Sequence, residues 1–341
     1  MPTLNILRKI APELGEIIER RYTVLQHVYF MQPIGRRALA ARLTWPERMV
    51  RKEIEFLREA GLLCSDPAGM EVTPAGECML VGLEEIIRQI HGLSQLEVEL
   101  ARRLSLKRVV VVAGDVDQDE TVKKEMARAT ARLLDELLRD NDIVAVTGGT
   151  TLAEVADHLP PHPDGRNLLV VPARGGLGED VEIQANSVAA RMAQRLGGRY
   201  RLLHVPDDLS EETTNIIAGD PKVKQVLEVI KSARIVLHGI GTAEDMARRR
   251  GLPPEVVARL TQAGAVGETL GYYFDAHGNI VYTTSSVGLG LDDLAAVDLV
   301  VAVGGGRSKA RAALAVLSTK HQDIYITDEG AARAMMELLS S

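Results

Sequence analysis

A phosphate group is held most simply by backbone N–H groups converging beside a helix N-terminus, with hydroxyls and a cation close by. The stretch Val144–Thr151, VAVTGGTT, carries the residue types for that task. An apolar run ends at Thr147, Gly148 and Gly149 follow, then Thr150 and Thr151, and helix-forming residues begin at Leu152. Glycines admit backbone angles closed to other residues, and the threonines add two hydroxyl donors. The pattern is equally that of a strand-to-helix turn whose glycines serve packing alone. The loop by itself leaves both readings open.

Similar loops follow other apolar runs: Pro172-Ala173-Arg174-Gly175-Gly176, His238-Gly239-Ile240-Gly241-Thr242 and Gly304-Gly305-Gly306-Arg307-Ser308-Lys309. The forked guanidinium of Arg174 and the compact charge of Lys309 are both good phosphate partners. If the runs are strands of one sheet, all four glycine loops converge on one rim. For catalysis there, a general base is needed. Glu268, in GETLGYYFDAHGNIV (Gly267–Val281), is the best carboxylate candidate, with Asp275 and His277 nearby in sequence. A carboxylate can equally accept hydrogen bonds from sugar hydroxyls, and His238 reads as a loop or core histidine. The chain has no nucleophile elbow, no H-E-x-x-H helix and no metal cluster. Cys64 and Cys78 lack a CxxC spacing or a nearby histidine pair and read as reduced structural thiols. No catalytic residue, cofactor or metal is therefore expected.

The elements that must position these loops are legible from periodicity. Near-continuous apolar runs at Val109–Val112, Ile143–Val146, Leu168–Val171, Ile235–Leu237, Leu299–Val303 and Ile324–Ile326 alternate with helical stretches. Such alternation predicts a largely parallel sheet covered on both faces, a Rossmann-type α/β domain. Ligands of such sheets collect outside the carboxyl ends of the strands, where the glycine loops fall.

The N-terminal part has a different rhythm. Leu14, Ile17, Ile18, Tyr22, Leu25 and Val28 predict an amphipathic helix from Pro12 to Phe30, and a short helix follows from about Arg36 to Leu43. A third helix starts after Thr44 as its expected N-cap, with Pro46 in the first turn and Glu47 suiting the dipole. Val50, Ile54 and Leu57 face inward, leaving Arg48, Arg51, Lys52 and Arg58 elsewhere, and Gly61 ends the helix. Leu62–Ser65 and Met70–Thr73 read as a hairpin. That order is a winged helix-turn-helix whose third helix enters the major groove of double-stranded DNA. Arg36 to Arg58 holds seven basic and three acidic residues, a local +4 in a chain of net charge −7. Arg36, Arg37, Thr44, Arg48, Arg51 and Lys52 are the DNA-binding candidates. A solvated basic face, or a winged helix that docks protein, is the alternative. Leucines at helical spacing between Leu80 and Leu104, interrupted at Gly92, form a connector that packs on its own domain or on a second subunit.

A chain of 341 residues, 46% hydrophobic, predicts about two domains with sizeable cores. The negative net charge excludes indiscriminate nucleic-acid binding by the whole molecule. No run reaches membrane-spanning length and the N-terminus lacks an apolar leader, so a cytoplasmic location is expected.

Across essentially its whole length the chain resembles the SorC/DeoR-type sugar-responsive transcriptional regulators. The most specific parts are DIVAVTGGTT (Asp142–Thr151), VVPARGGLG (Val170–Gly178), GETLGYYFDAHGNIV, VVAVGGGRSKARA (Val300–Ala312) and YITDEGAA (Tyr325–Ala332). The resemblance implies a winged helix-turn-helix (1–79), a helical linker (80–105) and a phosphosugar isomerase-like effector domain (106–341). Glu268, where many relatives carry Asp, suits the bisphosphate-sensing branch, whose implied inducer is fructose-1,6-bisphosphate. By similarity Gly148, Gly149, Thr150, Thr151, Arg174, Gln184, Glu268 and Lys309 bind it, with Arg249 and Arg250 carried over from the RRRG segment. The function so implied is an operator-binding repressor acting as a homodimer or homotetramer. A sugar-phosphate isomerase or deaminase with an accessory winged helix is the alternative.

Overall fold

The computed structural model describes residues 11–340 apart from 163–164, 166, 177–179 and 208. Leu177 and Gly178, the end of the VVPARGGLG motif, and the first ten residues lie outside the described residues. The chain divides between Ser94 and Gln95 into two compact units.

The first unit runs α1 (Pro12–Met31), α2 (Arg36–Leu43), α3 (Glu47–Glu59), β1 (Leu63–Ser65), β2 (Met70–Val72) and α4 (Pro74–His91). Its core is built from Val24, Leu25 and Val28 of α1, Leu39 of α2, and Val50, Ile54 and Leu57 of α3. The packed half of α1 is its C-terminal half. Leu14, expected to face inward, is instead 43% exposed, and Val24 is fully buried. β1 and β2 pair antiparallel with Cys64 opposite Glu71, and Ile34 adds a bridge to Met70. Helix α3 begins differently from expectation. Thr44 does not cap it: Thr44 ends α2 in a left-handed conformation (φ 54°), with its hydroxyl donating to the Leu43 carbonyl. Pro46 takes the N-cap position and lies outside the first turn. A tight left-handed corner needs one residue with positive φ, and that requirement claims Thr44 before any capping role can. Glu53 also departs from the exposed face. It is buried, accepts from Arg21 Nε at 3.1 Å and lies 3.6 Å from Arg20, which tethers α3 to α1.

Helix α5 (Leu93–Leu104) leads into the second unit, whose elements are β3 (Arg108–Val112), α6 (Thr121–Leu137), β4 (Ile143–Val146), α7 (Thr150–His158), β5 (Leu169–Pro172), α8 (Ala185–Arg195), β6 (Arg199–Tyr200), α9 (Glu211–Gly219), α10 (Pro221–Lys231), β7 (Ile235–Gly239), β8 (Gly241–Thr242), α11 (Ala243–Arg249), α12 (Pro254–Gln262), β9 (Ala265–Thr269), β10 (Tyr272–Asp275), β11 (Ile280–Thr283), α13 (Leu291–Leu294), β12 (Leu299–Val303), α14 (Ala310–Leu317), β13 (Ile324–Asp328) and α15 (Glu329–Leu339). Seven strands form one sheet in the order β3-β13-β12-β7-β4-β5-β6, parallel at every pairing. Val144, Ala145 and Val146 of β4 are buried together because helices cover both faces of the sheet. From β4 the chain proceeds to β5 on one side, and from β7, beside it, to β12 on the other. The strand order therefore reverses between β4 and β7.

Periodicity did not anticipate a second sheet. Four short strands, β11-β10-β9-β8, pair antiparallel across residues 241–283. Among the described residues no helix is long and apolar enough to cross a membrane.

Candidate functional site

A cavity of about 360 Å³ opens where the strand order reverses, beyond the carboxyl ends of β4, β5, β7 and β12. Its position and size are those of a small-metabolite site in an open α/β sheet. Every residue expected to hold a ligand lines it: Gly148, Gly149, Thr150, Thr151, Arg174, Gln184, Arg249, Arg250, Glu268 and Lys309.

The two glycines of the first loop have different reasons. A Cβ on Gly148 lies 2.5 Å from the Ile183 carbonyl oxygen and 2.9 Å from the Ala185 nitrogen, so close packing of two backbones excludes any side chain. Gly149 has open space around it but sits at φ 123°, ψ 157°, a region reserved for glycine. Its N–H donates to Ile183 O at 2.7 Å and its carbonyl accepts from Ala153. The next two N–H groups, of Thr150 and Thr151, open helix α7 and have no acceptor among the described residues. Unpaired donors at a helix start carry the positive end of the macrodipole, so this corner of the cavity is electropositive and suited to an anion.

The cations of the cavity fall into two kinds. Arg174 is buried, and its guanidinium is fixed from several sides. Nη2 donates to Asp207 Oδ1 at 3.0 Å and Thr284 Oγ1 at 3.3 Å, and Nε donates to Ser286 Oγ at 3.3 Å. Gly271 is needed here, since a Cβ on it would stand 2.0 Å from Arg174 Nη1. Arg250 is held by two carboxylates, Asp207 and Glu268, the latter at 2.9 Å. Burial works against its charge, but Glu268 and Asp207 outweigh burial and hold the guanidinium above its ordinary range. Burial likewise raises the Asp207 carboxyl, and Arg174 and Arg250 overcome it to hold that group below its usual value. Arg249 places Nη1 3.8 Å from Met246 Sδ. Lys309 differs: half-buried on the rim, it has no ion-pair partner among the described residues.

The fourth glycine loop contributes less than its sequence implied. Gly305 abuts Met126 and Asp328, and Gly306, at φ 98°, abuts Asp117. The Gly306 N–H donates to Asp328 Oδ2 at 2.7 Å, and the same fully buried carboxylate accepts from Val116 and Ala331. These glycines wrap an internal carboxylate, and the loop reaches the cavity through Lys309. Three glycine loops, not four, face it directly.

Glu268 reaches the cavity because β9 pairs with β8, placing it opposite Gly241 just beyond β7. Its Oε1 accepts from Arg250 and from the Gly271 N–H at 2.6 Å. Asp275 and His277 are elsewhere: Asp275 accepts from the His277 and Asn279 backbones in the β10–β11 turn, so their proximity to Glu268 in sequence is that of a hairpin. His238 is fully buried, with Nδ1 2.9 Å from Thr269 Oγ1, and burial pushes its pKa down to about 4. It is a neutral core histidine. Asp207 and Asp245 line the cavity without having been singled out in the sequence. Each lies in an irregular segment or short helix where no periodic signal marks it. Among the described residues no cluster of acidic, histidine or cysteine side chains is placed to hold a metal ion.

On the first unit, Arg36, Arg37, Thr44, Arg48, Arg51 and Lys52 are all exposed, on α2, α3 and the corner between them. Arg36 meets Glu47 at 3.1 Å and Arg51 meets Glu55 at 2.8 Å. Exposed pairs of this kind contribute roughly 0–1 kcal/mol, so phosphate oxygens can replace the carboxylates at little cost. With Glu53 turned inward, the outward face of α3 keeps its basic excess.

Residues 17–87 match the CggR N-terminal DNA-binding domain family, and residues 88–337 match the Sugar-bind family of sugar-binding domains. The chain is 47% identical over 337 residues to the central glycolytic genes regulator of Priestia megaterium, covering 98% of each chain. It is 44% identical over 329 residues to the protein of the same name from Bacillus subtilis, covering 96% of this chain and 97% of that one. Among solved structures, a protein assigned to the SorC family of transcriptional regulators from Enterococcus faecalis matches with TM-score 0.66 and 40% identity, over 71% of this chain and 99% of that chain. The full-length sorbitol operon regulator SorC from Klebsiella pneumoniae shares the fold at 19% identity, with TM-score 0.66 over 94% of this chain and 99% of that chain. Winged N-terminal unit, parallel-sheet second unit and glycine-loop cavity together agree with these matches: the chain belongs to the SorC-type family of sugar-binding transcriptional regulators, in the branch of the central glycolytic genes regulators.

Proposed function

We propose that this protein is a cytoplasmic, non-enzymatic repressor of a glycolytic operon whose grip on double-stranded operator DNA is relieved by fructose-1,6-bisphosphate. The observation that carries the effector reading is that, among the described residues, the Thr150 and Thr151 N–H groups have no acceptor and Lys309 has no ion-pair partner, and all three line one cavity. One phosphate belongs at that helix start. The Arg249–Arg250 segment and Gln184 supply partners for a second, and the Glu268 carboxylate accepts from sugar hydroxyls between them. A DNA-binding module (1–79), a helical connector (80–105) and an effector module (106–341) divide the work. The assembly on DNA is a homodimer or homotetramer, because one winged helix alone contacts few base pairs. Effector binding weakens operator affinity only if it favours one arrangement of the subunits, a coupling of about 1–3 kcal/mol.

The test is titration of operator-bound protein with a panel of phosphosugars. Release by fructose-1,6-bisphosphate at concentrations where monophosphates are inert is expected. Release by another sugar phosphate alone overturns the effector assignment. An isomerase reading is disfavoured because Glu268, the candidate base, is engaged by Arg250 and the Gly271 N–H. Turnover of fructose or glucosamine phosphates by the purified chain would restore it.

A further inference from the structure

Asp207 stands outside every motif that the family reading uses, yet it occupies the middle of the cavity's charge network. Its Oδ1 accepts from Arg174 and its Oδ2 accepts from Arg250, with its own side chain 3% exposed and theirs 8% and 4%. The backbone fixes it there independently of those contacts, since the Asp207 N–H donates to Gly176 O at 2.8 Å, in the loop that carries Arg174. Arg250 spends its remaining terminal nitrogen on Glu268, and its buried Nε has no hydrogen-bond partner among the described residues. A guanidinium fork matches the oxygens of a phosphate as well as those of a carboxylate. In this cavity a carboxylate of the same chain already sits on two such forks.

We infer that Asp207 is a resident anion: it occupies the oxyanion-facing edges of Arg174 and Arg250 while the cavity is empty, and so limits how tightly a phosphate group is held there. The inference rests on the proposed reading of the cavity as a phosphate site. Its physical basis has two parts. Buried guanidinium groups with no counter-charge are strongly destabilising, so the ligand-free fold needs Asp207. The same negative charge repels an incoming phosphate and competes with it for donors, so Asp207 weakens binding while it stabilises the unliganded protein. Affinity is thereby kept in a range where a change in metabolite concentration can be read.

The two effects have opposite signs in one variant, and a merely structural residue does not produce both. Asp207→Asn keeps the shape and removes the charge. Thermal melting and calorimetric titration of the full chain are followed with inorganic phosphate and, separately, fructose-1,6-bisphosphate. In phosphate-free buffer the variant is expected to melt below wild type. Its affinity for inorganic phosphate is expected to rise by about ten- to a hundredfold, the size of one like charge removed about 6–10 Å away at the effective dielectric of a protein. Its melting temperature then climbs more steeply with phosphate than that of wild type, and Asp207→Glu restores both properties toward wild type. Unchanged or weaker phosphate binding by Asp207→Asn overturns the inference. If the variant does not fold in phosphate-free buffer, refolding on addition of phosphate supports the inference, and failure to refold overturns it. A wild-type chain that binds phosphate but not fructose-1,6-bisphosphate removes the effector assignment and leaves the phosphate comparison decisive. Binding of neither probe overturns both.

Discussion

Lys309 is the sharpest place to perturb the effector site, because its charge is not balanced by a carboxylate of the chain among the described residues. Its role in the fold is carried by the backbone: the Lys309 N–H donates to Gly306 O at 3.0 Å, a bond that Lys309→Ala keeps. Removing the ammonium therefore subtracts mainly its attraction for the ligand. A unit charge pair about 4 Å apart interacts by about 4 kcal/mol at the effective dielectric of a protein surface. Lys309 is half-buried, so part of that attraction is screened by solvent. Taking roughly half of that attraction as net gives about 2 kcal/mol, or about thirtyfold in Kd. Isothermal titration with fructose-1,6-bisphosphate should show that loss, with Lys309→Arg close to wild type. By linkage, the effector concentration that releases half of the bound operator rises by the same factor while operator affinity without effector is unchanged. A loss below about threefold, at an unchanged melting temperature, would place the phosphate away from Lys309 and refute the reasoning.

Four further outcomes follow from the same geometry. Thr151→Ala removes a hydroxyl donor at the start of α7 and should weaken fructose-1,6-bisphosphate binding by about 1–2 kcal/mol in titration, with the operator complex intact by gel shift. Arg51→Ala should reduce operator affinity at every sequence and lower the slope of log K against log salt by about one, leaving effector affinity untouched; an unchanged slope would remove α3 from the DNA backbone. Gly148→Ala meets backbone atoms of Ile183 and Ala185 that cannot rotate away, so chemical denaturation should show a loss of about 1–3 kcal/mol together with weaker effector binding. Burial holds His238 at about 4, below its unfolded value of about 6.5, so the unfolded chain binds the proton more readily. Its contribution is complete above pH 6.5 and is lost as pH falls toward 4, up to about 3 kcal/mol, and His238→Gln should flatten the denaturation midpoint between pH 7 and pH 5.

Much of this site is legible in the amino-acid sequence alone. The β4 and β7 runs, the Gly148-Gly149 turn and the N-terminal order of helix, short helix, basic helix and hairpin are local signals, written in side-chain periodicity and in the backbone freedom of glycine. Local signals also located the ends of strands, and a parallel sheet collects its ligands at those ends. That is why Thr151, Arg174 and Lys309, far apart in the chain, could be assigned to one rim.

What periodicity could not decide was which partner each polar group takes. The glycines of residues 304–306 look like a phosphate loop, yet they close around the buried carboxylate of Asp328, because β13 runs beside β12 and delivers that acid to them. Asp275 and His277 look like neighbours of Glu268, yet an antiparallel turn carries them off while β8 brings Glu268 inward. Thr44 looks like a helix cap, but the corner between two helices takes its backbone first. Asp207 has no local signature at all, and it matters only because β5, β7 and the second sheet bring Arg174, Arg250 and Glu268 around it. Sequence by itself determined the elements and their ends, since those depend on residues a few positions apart. Charge pairing depends on groups tens to hundreds of residues apart, and only the packed tertiary structure could choose among the carboxylates available to each arginine.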